Sequence, residues 1–195
     1  MRLKVIYKEI TMRVISGKYK GRKLFSPLGD RIRPTADRIK ESIFSILVSN
    51  NALEDSLVLD LFCGTGSLGI EALSRGAKKT VFVDIDLESL ELVKKNLNHI
   101  KSNSDEYETY HADYRLAIKK LEGREFDLIF LDPPYSKNSY LDCLDLIKNS
   151  QVLSKTGWIV FEHSPSQCLQ KHENEYIIDT RNMGKTRVSL LRRYN

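Results

Sequence analysis

Apolar positions along the chain alternate between two patterns. Short continuous runs at Leu57–Leu61, Thr80–Val83, Leu128–Leu131 and Trp158–Phe161, with the more mixed Glu108–His111, have the length and composition of strands. The continuous runs match strands buried on both faces. Between them, Leu68–Arg75, Glu88–Ile100, Tyr114–Leu121 and Tyr140–Ile147 space their apolar residues as helices do. Strands alternating with helices predict a parallel sheet with helices on both faces. The alternation ends at Tyr176–Ile178 and Val188–Leu191, where Arg181–Lys185 leaves no room for a crossover helix and predicts an antiparallel hairpin at the sheet edge. The expected fold is therefore α/β, a doubly wound, mostly parallel seven-stranded sheet closed by that hairpin.

Before this unit, Arg13–Ser16 and Leu24–Phe25 can pair across the turn-like Gly17–Gly21. Thr35 is placed to cap a helix from Ala36 to about Val48, with Ile39, Ile43, Ile46 and Leu47 on one face. These divide the chain into an extension over residues 1–50, hairpin plus covering helix, and a main domain over 51–195. Charge follows the same division. Residues 1–40 hold 12 Lys and Arg against Glu9, Asp30 and Asp37, a net of +9, so the remainder carries −4 of the total +5. A basic arm on a mildly acidic domain points to phosphate contact through Arg13, Lys18, Lys20, Arg22 and Lys23, with Tyr7 and Tyr19 interleaved. The alternative is a solvated charged face.

The remaining composition narrows the class. At 195 residues, with 41% hydrophobic and 29% charged, the chain suits one globular domain with a small appendage. No apolar run approaches the roughly 20 residues of a membrane span, and MRLKVIYKEIT lacks a signal-peptide core. Cys63, Cys143 and Cys168 are scattered and odd in number, which supports neither a disulfide framework nor a zinc site and suits a cytoplasmic protein. Cys63 reads as a small buried residue beside a loop. His99, His111, His163 and His172 show no metal-ligand spacing and read as structural or surface residues.

Candidate chemistry starts at Leu57–Ala77. A buried strand breaks into Gly64-Thr65-Gly66, a helix follows, and Gly76 suits its left-handed C-cap. Gly64–Gly69 matches the dinucleotide fingerprint G-x-G-x-x-G. Asp60, however, ends the strand four residues earlier, where a carboxylate repels a diphosphate and attracts a cation. S-adenosylmethionine, with an ammonium and a sulfonium, suits this corner better than a nicotinamide cofactor. Asp84 ends the next strand, where an acid can accept both ribose hydroxyls. The bland alternative is a glycine turn with two solvated strand ends. The second constellation is Asp127–Tyr135, DLIFLDPPY, an apolar strand ending in a carboxylate, two prolines and an aromatic. Asp132 and a main-chain carbonyl can hold the hydrogens of an exocyclic amine and aim its lone pair. Pro133 and Pro134 stiffen the loop and remove amide donors, and Tyr135 offers a face on which an extruded base stacks. A plain strand-ending turn is the alternative.

With the glycine corner upstream, D-P-P-Y resembles the signature of Rossmann-type amino-methyltransferases. RVISGKYKGRKL (Arg13–Leu24), RPTADRIKESIF (Arg33–Phe44), the corner, Asp132–Tyr135 and GKTR (Gly184–Arg187) together resemble the RsmD family, over nearly the whole chain from Met12. Residues 1–11 would then be an upstream extension. The resemblance implies methylation of a guanine N2 amine in small-subunit (16S) ribosomal RNA, free or within a partly or fully assembled subunit. It also implies S-adenosylmethionine as methyl donor, no metal, and no covalent intermediate. It places Arg33, Thr35 and Arg38 near the cofactor pocket, with Arg38 facing RNA, and puts an adenine-contacting acid at Asp113, which could equally be a helix N-cap. A DNA adenine-N6 or cytosine-N4 methyltransferase and a non-catalytic RNA-binding protein remain the alternatives.

Overall fold

The computed structural model describes residues 8–27, 34–133, 139–164, 169, 173–183 and 186–193. The chain enters through an antiparallel hairpin, β1 (Lys8–Arg13) and β2 (Lys23–Ser26), followed by α1 (Pro34–Ser49). The strand starts five residues before the expected Arg13, and Met12 pairs with Leu24 and Arg13 with Lys23. The ladder continues only to Val14, whose N–H donates to Arg22 C=O at 2.9 Å. Ile15 and Ser16 leave it because a side chain from the first helix of the main unit, Glu71, captures their amides. The expected N-cap at Thr35 is corrected: α1 already begins at Pro34. Proline fits the first helical position, having no N–H to lose and a pre-set φ, so Thr35 lies inside the first turn.

The main unit follows as β3 (Leu57–Asp60), α2 (Ser67–Ser74), β4 (Lys79–Asp84), α3 (Leu87–Ile100), β5 (Tyr107–His111), α4 (Tyr114–Lys120), β6 (Phe126–Leu131), α5 (Ser139–Ser150), β7 (Leu153–His163), β8 (Tyr176–Met183) and β9 (Thr186–Arg193). Seven strands form one sheet in the order β5-β4-β3-β6-β7-β9-β8. β3 to β7 run parallel, and β9 pairs antiparallel with both β7 and β8. Strand order reverses at β3, so the C-terminal ends of β3 and its neighbours open a crevice where ligands bind in such sheets.

Side-chain alternation divides the core into two layers. Val58, Phe82, Leu128, Phe130 and Val160 face Ile43, Phe44 and Leu47 of α1, Ile70 and Leu73 of α2, and Val93 of α3. Leu59, Val81, Ile129, Leu131 and Phe161 face Ala117 and Ile118 of α4 and Leu144 and Ile147 of α5. Val14 and Leu24 of the hairpin belong to the first layer. Among the described residues no helix is long and apolar enough to cross a membrane.

Candidate active site

The glycine corner is tied to the two acidic strand ends by main-chain amides. Gly69 N–H donates to Asp60 Oδ2 at 3.0 Å. Gly64 N–H donates to Asp84 Oδ2 and Asp86 N–H to Asp84 Oδ1, both at 2.9 Å. Asp60 is buried, 3% exposed, beneath the loop. Burial pushes its carboxyl up to about 7; the Gly69 amide opposes that shift, and the charges of Asp132 and Asp84 add to it. The glycines have separate tasks. Gly66, with φ 74, forms the left-handed N-cap of α2. A Cβ at Gly69 would lie 2.4 Å from Phe82 Cε1, so this glycine lets α2 pack on β4. Gly64, with φ 49, faces open space. Ile85, 69% exposed, stands beside Asp84 as an apolar surface without cover. Cys63 is buried and burial raises its thiol further, as a small core residue should be.

Register brings the second constellation to the same place. Asp60 pairs in register with Phe130, and Phe130 with Val160. Asp132 and Glu162 lie two residues beyond Phe130 and Val160 and therefore point to the same sheet face as Asp60. They line one cavity of about 180 Å³ with Met12, Lys40, Ser67 and Leu68. Asp132 is exposed at its rim, yet desolvation by the surrounding protein pushes its carboxyl up to about 7, and the charge of Glu162 adds to the shift. Pro133 is buried beneath it. Pro134 and Tyr135 lie outside the described residues. The ammonium of Lys40 reaches this cavity but is committed elsewhere, donating to Arg13 C=O at 2.8 Å and Ser67 Oγ at 3.1 Å, with Glu71 Oε2 at 3.4 Å. Burial lowers its affinity for a proton against the pull of Glu71. Among the described residues no cation forms an ion pair with Asp60, Asp132 or Glu162, and no His, Cys, Asp and Glu cluster has the grouping to hold a metal ion.

The other expected residues divide. Asp113 is the N-cap of α4, accepting from Arg115 N–H at 2.9 Å. Lys20, Arg22, Lys23 and Arg38 are exposed. Arg13 pairs with Asp37 at 3.2 Å and Lys18 with Glu106 at 2.6 Å, and Tyr19 also donates to Glu106, so these three are partly engaged within the protein. Arg33, Tyr7, Cys168 and His172 lie outside the described residues, as does the side chain of Thr35.

Three polar core residues that sequence reading passed over hold the hairpin against the corner. Glu71, fully buried, accepts the amides of Ile15 at 2.8 Å and Ser16 at 3.0 Å and pairs with Arg75 at 2.8 Å. Ser74 Oγ donates to Ser16 C=O and accepts from Tyr19 N–H. Asn96, also buried, accepts from Phe25 N–H at 2.7 Å and donates to Phe25 C=O and to Thr65 C=O in the glycine loop. Their signal was a polar side chain on an otherwise apolar helix stripe, which the stripe alone does not assign to a partner.

The sequence profile of the family described as conserved hypothetical protein 95 matches residues 12–192. The chain is 43% identical to YlbH of Bacillus subtilis over 154 residues, covering 78% of this chain and 82% of that one. It is 34% identical over 174 residues to ribosomal RNA small subunit methyltransferase D of Haemophilus influenzae, covering 89% of each. The solved structure of yhhF from Escherichia coli superimposes with a TM-score of 0.83 at 27% identity, over 95% of this chain and 98% of that one.

Proposed function

The chain belongs to the RsmD family, and from that premise we propose that it transfers a methyl group from S-adenosylmethionine to the N2 amine of a guanine in small-subunit ribosomal RNA. The observation that carries this reading is the position of Asp132, at the end of β6 on the face it shares with Asp60, in a cavity against the first turn of α2.

The donor set at the corner fits the proposed methyl donor. Asp60, Asp84 and Asp132 converge there without a paired cation among the described residues, an environment that favours a sulfonium and an ammonium over a diphosphate. Each Asp84 oxygen accepts one amide, and the Cys63 thiol reaches Oδ2 only weakly at 4.0 Å, so the carboxylate is held in place with capacity to accept ribose hydroxyls. Gly64 leaves its backbone open to close approach. Ile85 offers an apolar surface to the base, and Asp113 stands at the next strand end to accept from it. Arg33 and Thr35 belong to this surface by family resemblance. Bound there, the cofactor supplies an electrophilic methyl group.

Asp132 then holds one hydrogen of the target amine and the Pro133 carbonyl the other. An arylamine lone pair is delocalised into its ring, and two fixed acceptors keep the nitrogen nearly tetrahedral and aim it. Tyr135 stacks on the extruded base. Lys20, Arg22, Lys23 and Arg38, with Arg13 and Lys18 beside them, contact the phosphate backbone, because Met12 brings the end of β1 into the cavity wall. Labelled methyl transferred onto small-subunit rRNA and recovered after digestion as N2-methylguanosine is the expected result. Label in N6-methyladenosine or N4-methylcytidine would overturn the choice of amine.

A further inference from the structure

A methylated amine must shed a proton, and the cavity that holds Asp132 holds a second carboxyl able to share it. Glu162 lies one residue beyond the last paired position of β6 and β7, Leu131 with Phe161, as Asp132 does on its own strand. Adjacent residues on parallel strands at the same level point the same way, and both carboxyls line the single cavity described above. Glu162 is only part-exposed, and Thr186, from the G-K-T-R segment whose purpose the cofactor corner leaves unexplained, stands beside it, its hydroxyl donating to His163 C=O at 3.1 Å. Lys40 is spent on Arg13, Ser67 and Glu71, so Asp132 and Glu162 share the cavity with no ion pair to either among the described residues.

We propose that Glu162 is the proton-sharing partner of Asp132, and that the pair takes up the proton lost by the target amine. This rests on the assignment of Asp132 as the residue that holds the amine. The amine lone pair forms the new N–C bond while the electrons of the S–C bond stay with sulfur. The nitrogen is left cationic, and one of its N–H protons passes to Asp132 and is shared with Glu162 before release to solvent. Two carboxyls in one cavity oppose each other's ionisation, and the charge of Glu162 raises Asp132. Burial raises Glu162 as it does Asp132, with Thr186 opposing the shift. The other titratable groups facing the pair are Lys40 and Asp37, from α1, and Asp60, from β3.

The test is Glu162→Gln, nearly isosteric, read in two ways. Carbon-13 NMR titration of Asp132 in the cofactor-free protein should show its apparent pKa falling by about one unit or more once the facing charge is gone. Single-turnover methyl transfer should fall roughly tenfold at its plateau while its acid limb moves to lower pH, with RNA and S-adenosylmethionine affinities unchanged. An unmoved Asp132 titration together with a superimposable rate profile would overturn the proposal. If Glu162→Gln does not fold, Glu162→Asp serves, and it should keep the two-step titration that Gln abolishes. Asp132→Ala, which removes the acceptor altogether, separates the two layers in the same assay. Wild-type transfer there would remove the amine-holding assignment itself, whereas slow transfer there with an unmoved Glu162→Gln would remove the proton-sharing pair alone.

Discussion

Asp60 lies buried beneath the glycine loop, where loss of water raises its carboxyl to about 7. Its place before the glycine loop marks a carboxylate where a diphosphate would be repelled, but its burial and its bond to Gly69 appear only once α2 is folded over it. The sequence pattern cannot distinguish a carboxylate aimed at a ligand from one that anchors the loop from below. The shift to about 7 has a consequence for stability. The folded state binds this proton more tightly than the unfolded chain, where the carboxyl titrates near 3.8. The group's contribution is therefore fully present below about pH 4 and is lost as pH rises through 7. Asp60→Asn keeps an oxygen for the Gly69 amide and removes the charge. Its thermal midpoint should exceed that of the wild type above pH 7 and converge with it towards pH 4, while its affinity for S-adenosylmethionine falls by roughly tenfold, the scale of a lost charged contact. Parallel pH profiles for the two proteins would show that the carboxylate is not charged at a cost in the folded state.

Among the elements, apolar strands and helices of the main sheet were legible because burial on both faces leaves continuous runs. Where polar residues enter a strand, legibility ended. β7 begins at Leu153, five residues before the expected Trp158, with exposed Lys155 and Thr156 carried through an irregular pairing with β6. β8 continues to Met183 through the exposed Asp179–Asn182, held in register by β9 and not by burial. The hairpin was legible as a hairpin, but not its docking. Gly17 is the sharpest contact there: with φ +84, its missing Cβ would lie 1.7 Å from Ser74 C=O at the end of α2. Gly17→Ala forces both a left-handed alanine and a backbone clash. It should lower stability by at least the about 1–3 kcal/mol of a strained residue and loosen the amides of Ile15 and Ser16 from Glu71. Denaturant unfolding with amide exchange at those two positions checks it, and an unaltered midpoint would mean that the hairpin does not need this close approach.

At the scale of the whole molecule, a basic hairpin clamped by Glu71, Ser74 and Asn96 sits beside a strand-end cavity that gathers acidic groups. The fixed clamp holds the hairpin at the edge of the site, where the proposed function gives its charges the phosphate backbone and leaves the chemistry to Asp132. Neutralising Lys20, Arg22 and Lys23 should flatten the salt dependence of RNA binding by about 0.7–0.9 in log–log slope per lost phosphate contact, leaving S-adenosylmethionine affinity in place. An unchanged slope would assign the three to a solvated face. Whether Asp132 holds the amine is decided by single-turnover transfer of labelled methyl to small-subunit rRNA by Asp132→Ala, with separate titrations of RNA and S-adenosylmethionine. The expected rate is roughly 10²–10³-fold below wild type, the scale of one lost preorganised contact, with both ligands still bound. Wild-type transfer by a folded Asp132→Ala protein would contradict it.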